Sequence, residues 1–206
     1  MKISLKTSVL RAALICATKK DIRYYLQGVC VSINNPEVAM IYGTDGKVLF
    51  AGQSPIEVIE APQNYGFDLI IPYDAIKAMD KKADFVTLVT IPSLPKDYYV
   101  LGNTSFQAID ARFPDVSRVI PARDAFSEQS IGFFDPDLLV KGNEALAMYF
   151  GSKKGKVFPL LQRGDYSGVI HNHTNTALVV VMPMRNESGT YQGLNPDFMQ
   201  VQQKAA

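Results

Sequence analysis

Lys2-Ile3-Ser4-Leu5, running straight into residues 7–18 (TSVLRAALICAT), sets the pattern from which the rest of the 206-residue chain is read. The first four residues suit a short strand. The next twelve suit a helix: at about 100° per residue, Val9, Leu10, Ala13, Leu14 and Ala17 fall on one apolar stripe. Thr7, Ser8, Arg11, Thr18 and Lys19 take the opposite arc, which also receives Ile15. The same opening recurs at residues 67–71 before 72–79, and at 130–134 before 135–148, a weak repeat of roughly 60–65 residues. Pro72 fits at or just before the first turn of the second helix. Asp135 fits the cap of the third, with Pro136 inside its first turn.

Strand candidates follow each helix. In the first copy they are residues 29–33, 38–42 and 47–51, separated by Asn34-Asn35-Pro36 and Thr44-Asp45-Gly46. The second copy offers residues 85–91, 98–101 and 104–109, with Gly102-Asn103 as a tight hairpin turn. The third offers residues 157–161, 168–171 and the strongly apolar 177–182. Strand, helix, then strands without another long helix argues for an α+β fold. Three β-α-β-β-β modules would place their helices on one face of antiparallel sheets.

Nothing in the chain reads as a membrane span, because no run of eighteen apolar residues occurs. Arg11 interrupts the apolar stretch near the start and Lys19-Lys20 closes it, so we read a mature cytoplasmic N-terminus rather than a signal peptide. Cys16 and Cys30 have no metal-ligand spacing and are expected as buried free thiols. The net charge of +1 says little as a sum. Its distribution says more: residues 1–20 hold Lys2, Lys6, Arg11, Lys19 and Lys20 and no acid, and Lys77 and Lys81 stack one turn apart on the second helix. A basic face on a neutral protein suits a polyanion held without base reading.

Four segments then carry a resemblance. Asp21-Ile22-Arg23-Tyr24-Tyr25-Leu26-Gln27-Gly28, Thr44-Asp45-Gly46, the connector 110–121 (DARFPDVSRVIP) and Val180-Val181-Met182-Pro183-Met184-Arg185 occur in that order. Together they resemble segments of the bacterial DNA polymerase III beta subunit, the beta sliding clamp family. The resemblance covers roughly residues 1–185 and implies the DNA-clamp fold. Residues 1–121 would form a two-module domain like the family's middle domain, residues 122–186 one module like the second half of its third domain, and residues 187–206 a polar tail.

That resemblance implies a non-enzymatic processivity factor for DNA replication or repair. It would encircle double-stranded DNA as an oligomeric ring and tether a polymerase or another partner carrying a clamp-binding motif. If a ring needs about twelve modules, four chains of three modules would close it. The partner-peptide pocket would draw Leu26 from the first segment and Thr44, Gly46 and Leu49 from the second. Pro114, Arg118 and Val119 would come from the connector, and Val180, Met182, Pro183 and Met184 from the last strand. Leucine, valine and methionine offer an adaptable apolar floor, with Arg118 at the rim. DNA would meet Lys6, Arg11, Lys19, Lys20, Arg23, Tyr24, Tyr25, Lys77 and Lys81. One tyrosine of the Tyr24-Tyr25 pair is expected to fill the core instead, and the sequence leaves open which.

The chain departs from the family at Lys47-Val48, where His-Arg is usual, and at Asn186, which replaces an apolar residue. Gln192, Leu194 and Phe198 in the tail faintly echo a clamp-binding peptide. A second function stays open beside the first: a clamp homologue that forms no ring and acts as a decoy or accessory factor for clamp partners. An enzyme is not expected. The sequence has no G-x-x-x-x-G-K-[ST], G-x-S-x-G or C-x-x-C. His171-Asn172-His173 lacks an acidic cluster that would complete a metal site, so it reads as a hairpin turn, and no metal or cofactor is expected.

Overall fold

A computed structural model describes residues 1–62, 64–91, 93, 95, 97–120, 133–153, 155–162, 167–172 and 174–184. The first module comprises β1 (Lys2–Lys6), α1 (Thr7–Cys16), β2 (Gly28–Ile33), β3 (Val38–Thr44) and β4 (Val48–Glu60). The second comprises β5 (Phe67–Pro72), α2 (Tyr73–Lys77), β6 (Phe85–Thr90), β7 (Tyr98–Leu101) and β8 (Thr104–Gln107). The third comprises α3 (Pro136–Tyr149), β9 (Leu160–Gln162), β10 (Gly168–His171) and β11 (Ala177–Val181). The expected strand at 130–134 falls largely outside the described residues; Phe133, at its end, accepts the Met184 N–H at 2.8 Å. The proposed domain boundary at 121/122, His173 and the 187–206 tail also lie outside them.

The eleven described strands pair antiparallel in two sheets that share β4. Residues 49–55 of β4 run beside β3, while residues 56–60 run beside β1. One sheet therefore reads β5-β2-β3-β4-β11-β10-β9 and the other β4-β1-β6-β7-β8. The sequence suggests a strand over residues 47–51. The observed strand runs through Gly52-Gln53-Ser54-Pro55, residues that locally favour a break. Pro55 is tolerated because the strand changes sheets there: Lys6 N–H turns to Ser54 Oγ at 3.0 Å, and Ile56 N–H donates to the Glu37 carbonyl at 2.9 Å.

The core lies between the sheets and the helices. Ile3, Leu10, Phe50, Ile71, Leu88, Leu101 and Leu146 are fully buried and belong to one apolar cluster spanning all three modules. α1 sits at its centre against α3, β3 and β4. This placement corrects the two-faced reading of α1. Thr7, put on the polar arc, is buried, as are Ala12 and Cys16, in a helix packed against α3, β3 and β4 at once. Burial pushes the Cys16 thiol up to about 12 and raises that of Cys30 as well, so both are inert at neutral pH. α2 is also shorter than residues 72–79, ending at Lys77 with Ile76 and Met79 buried beneath it.

α3 begins as its sequence predicts. Asp135 accepts the Asp137 N–H at 2.9 Å and Pro136 occupies the first turn. Further on, the expected strand at 157–161 shifts to Leu160–Gln162, since Phe158 turns inward and its N–H is taken by Asn143 Oδ1 at 2.7 Å. The third module is joined to the first by strand pairing: Val180 faces Leu49 and Val179 faces Phe50.

Candidate functional site: a cavity at the junction of β4, β11 and the connector

The site starts with a tight turn. Thr44 Oγ1 donates to the Val48 carbonyl at 2.8 Å and accepts the Gly46 N–H at 2.9 Å. Asp45 Oδ1 accepts the N–H groups of Lys47 and Val48. Gly46 has φ +89°, so the turn favours glycine for its conformation. Arg23 forks onto Asp21 at 2.9 and 2.8 Å and reaches the Asp45 carbonyl at 3.1 Å. From the other side Lys141 of α3 pairs with Asp45 Oδ2 at 2.5 Å.

The connector crosses the outer face of the longer sheet. Ile109 N–H donates to Ile70 at 3.0 Å, and Phe113 then inserts against Cys30 and Ile70 and stacks on Tyr42 at 6.4 Å. Asp115 caps the 3-10 turn Val116–Arg118 by accepting the Ser117 N–H at 3.1 Å. Val116 and Ile120 pack on Leu49, Val169 and Val180. β11 supplies the last wall, continued by Met182, whose N–H donates to the Lys47 carbonyl at 2.9 Å.

These pieces enclose a cavity of about 200 Å³. Eight residues placed in a pocket by the sequence line it: Leu26, Thr44, Gly46, Leu49, Pro114, Val119, Val180 and Met182. Three do not. Arg118 points away, its side chain 83% exposed and paired with Asp115 at 3.3 Å; Pro183 and the half-exposed Met184 continue beyond the lining. Lys47, Val48, Asp115 and Val116 line it unforeseen, although the first two adjoin the Thr44-Asp45-Gly46 turn and the other two lie within the connector.

The residues assigned to DNA separate into groups. Arg23 and Tyr25 line the cavity, and Tyr25 packs against the Phe113 cluster, so Tyr25 is the inward member of its pair. Tyr24 stays 57% exposed. Lys19 is paired with Asp74 at 2.8 Å, and Lys20 and Lys77 are exposed. Lys6, Arg11 and Lys81 gather around a different cavity at the start of α1.

The rim carboxylates titrate low. Hydrogen bonds from the Arg23 side chain and backbone hold Asp21 down at about 2. For Asp45, burial pushes upward but is outweighed by Lys141 and the N–H groups of Val48 and Lys47, leaving it below its ordinary 3.8. A depressed folded-state value means that stabilisation is complete above the unfolded value and fades as pH falls through the folded one. Asp45→Asn is therefore expected to cost about 1.5–3 kcal/mol at pH 6, the range for hydrogen bonds to charged groups. Urea midpoints of the two proteins should converge below pH 3.8; a gap that stays constant into acid would refute this.

The chain has the fold of the DNA sliding clamps. It superposes on the DNA polymerase sliding clamp from Pseudomonas aeruginosa with a TM-score of 0.60 at 18% identity, covering 90% of this chain and 66% of that one. The Bacillus subtilis clamp gives 0.61 at 12% identity, with coverages of 90% and 64%. The Helicobacter pylori beta clamp, solved with a DNA ligase peptide, gives 0.57 at 12% identity, with coverages of 89% and 66%. The chain thus spans about two thirds of the length of the solved bacterial clamps it matches. No protein-family model and no curated protein matches the sequence.

Proposed function

We propose that this protein is a clamp-like replication or repair processivity factor that assembles as a ring around double-stranded DNA. It tethers a polymerase or another partner by a short peptide seated in the β4–β11–connector cavity. The observation that carries the reading is that cavity, where four separated sequence segments meet over an apolar floor. Its volume suits one or two apolar side chains rather than a whole ligand, as expected of an anchor site for an extended motif. The work is mechanical: tethering raises the local concentration of the partner without a reaction. DNA would run along exposed basic residues such as Lys20 and Lys77, with Tyr24 beside them.

Ring closure requires the sheet ends to find partners. β8 and β9 end their sheets among the described residues, and neither Thr104–Gln107 nor Leu160–Gln162 carries a charge or proline to blunt its edge. Head-to-tail pairing of such edges makes a ring if the rotation closes. Four chains would supply twelve modules, with residues 1–121 acting as the larger unit and 122–186 as the smaller one. Light scattering over a concentration series tests this: a tetramer is expected, and a monomer or dimer would leave the decoy reading in its place. In parallel, Met182→Ala, at a 44% exposed site, is expected to weaken a fluorescent clamp-binding peptide at least tenfold, the scale of a lost anchor. Unchanged peptide affinity would remove the cavity from the proposal.

A further inference from the structure

α1 begins where β1 ends, and it begins uncapped. Lys6 holds the cap position without a side-chain hydrogen bond, and the first turn carries no acid. Thr7 is 3% exposed, yet among the described residues its Oγ1 has no hydrogen-bond partner, nor has the buried Oγ of Ser8 beside it. Native proteins rarely leave two adjacent buried hydroxyls unsatisfied. Both residues line a cavity of about 560 Å³ that also holds Lys6, Arg11, Lys81 and Lys82. Asp84 is the one carboxylate among the lining residues; its carbonyl accepts the Thr7 N–H at 2.9 Å. Arg11 Nη1 reaches the Lys81 carbonyl at 3.5 Å. Among the described ion pairs, none uses any of the four cations.

The far wall is the end of α3. Tyr149 and Phe150 stand edge to face with ring centroids 4.8 Å apart, and the Tyr149 hydroxyl is held by the Gln53 and Thr176 carbonyls. One side of the cavity thus offers hydroxyls, cations and the positive end of a helix, and the other offers aromatic surface.

We propose that this cavity binds a phosphate monoester of nucleotide size, with the phosphate at the start of α1 and the base against Tyr149 and Phe150. A helix N-terminus joined by cations stabilises an anion. A terminal phosphate brings three acceptor oxygens and up to about two charges, so it can use more of these donors than a chain-internal diester. The volume lies within the range of about 300–1,000 Å³ usual for small-ligand pockets. Two sources share this chemistry: a free nucleotide, or the 5′ end of a nucleic acid strand. Neither depends on ring formation, so this inference and the proposed function fail separately.

The test is calorimetric titration of the full chain with deoxyadenosine 5′-monophosphate, and with one short oligonucleotide carrying either a 5′-phosphate or a 5′-hydroxyl. Saturable binding of the nucleotide identifies the first source. A preference for the phosphorylated strand identifies the second. Thr7→Val removes the hydroxyl at constant shape and is expected to weaken binding about fivefold without lowering the melting temperature, because that hydroxyl has no partner to lose. Lys81→Gln with Lys82→Gln, both at exposed positions, is expected to weaken it at least about tenfold. Affinity that follows the lysines but ignores Thr7 would mean a diffuse basic face and overturn the pocket. So would equal binding of both oligonucleotides with no binding of the nucleotide.

Discussion

A Gly43→Ala chain is expected to lose at least about 3 kcal/mol of stability, the upper end of what an added methyl costs in a packed interior. Gly43 lies in β3 where α1 crosses it, and a Cβ there would sit 2.0 Å from the Ala13 carbonyl oxygen and 2.7 Å from its carbon. Both are backbone atoms, so no rotamer change relieves the clash. Relief requires α1 to rise off the sheet, which would open its contacts with β3, β4 and α3 together. Equilibrium urea denaturation measures the loss. A midpoint within error of the parent protein would show that α1 is not pressed against β3 as described. Gly142→Ala makes a useful comparison, since the added methyl would meet the ends of Ile170 and Val179 side chains at 2.9 Å; those can move, and the cost should be smaller.

Phe113→Ala is expected to be nearly as damaging, at about 3–5 kcal/mol, because it deletes a buried aromatic ring. Phe113 is 7% exposed and is the anchor by which the connector grips the outer face of the sheet through Tyr42, Cys30 and Ile70. Without it, Pro114, Val116 and Val119 lose their fixed position over Leu49 and Val180. Peptide capture should then fall further than the stability loss alone would cause. Phe113→Leu should restore most of the stability and much of the capture. Peptide affinity unchanged in a folded Phe113→Ala chain would show that the connector does not shape the cavity.

Local patterns in the sequence were good guides wherever local chemistry decides the outcome. The Asp135 cap with Pro136, the Thr44-Asp45-Gly46 turn and the strand starts at Gly168 and Ala177 follow from side-chain hydrogen bonds, backbone freedom and alternation. The failures share a cause of the opposite kind. Residues 52–55 look like a loop and stay in β4 because a neighbouring strand on each side pairs with them or takes over from them. Thr7 looks exposed on a helical wheel and is buried, its N–H taken by the Asp84 carbonyl of the second module. Tyr24 and Tyr25 are chemically alike, so only the connector's arrival distinguishes them. Most of the cavity lining was legible because its segments carry recognisable order. Arg118, carried to the pocket rim by the resemblance, does not line the cavity, because on its 3-10 turn the long side chain pairs with Asp115 and stays exposed.

The pairing of β4 with β11 also has a consequence for synthesis of the chain. One edge of residues 48–52 is completed only by residues 177–181, so an emerging polypeptide holds that edge unsatisfied until more than a hundred further residues have left the ribosome. Contacts so distant in sequence slow folding and prolong exposure of a sticky edge. Assembly should therefore be rate-limited by docking of the last hairpin onto an otherwise formed first module. Truncation before residue 177 should give a product that aggregates instead of a smaller stable domain.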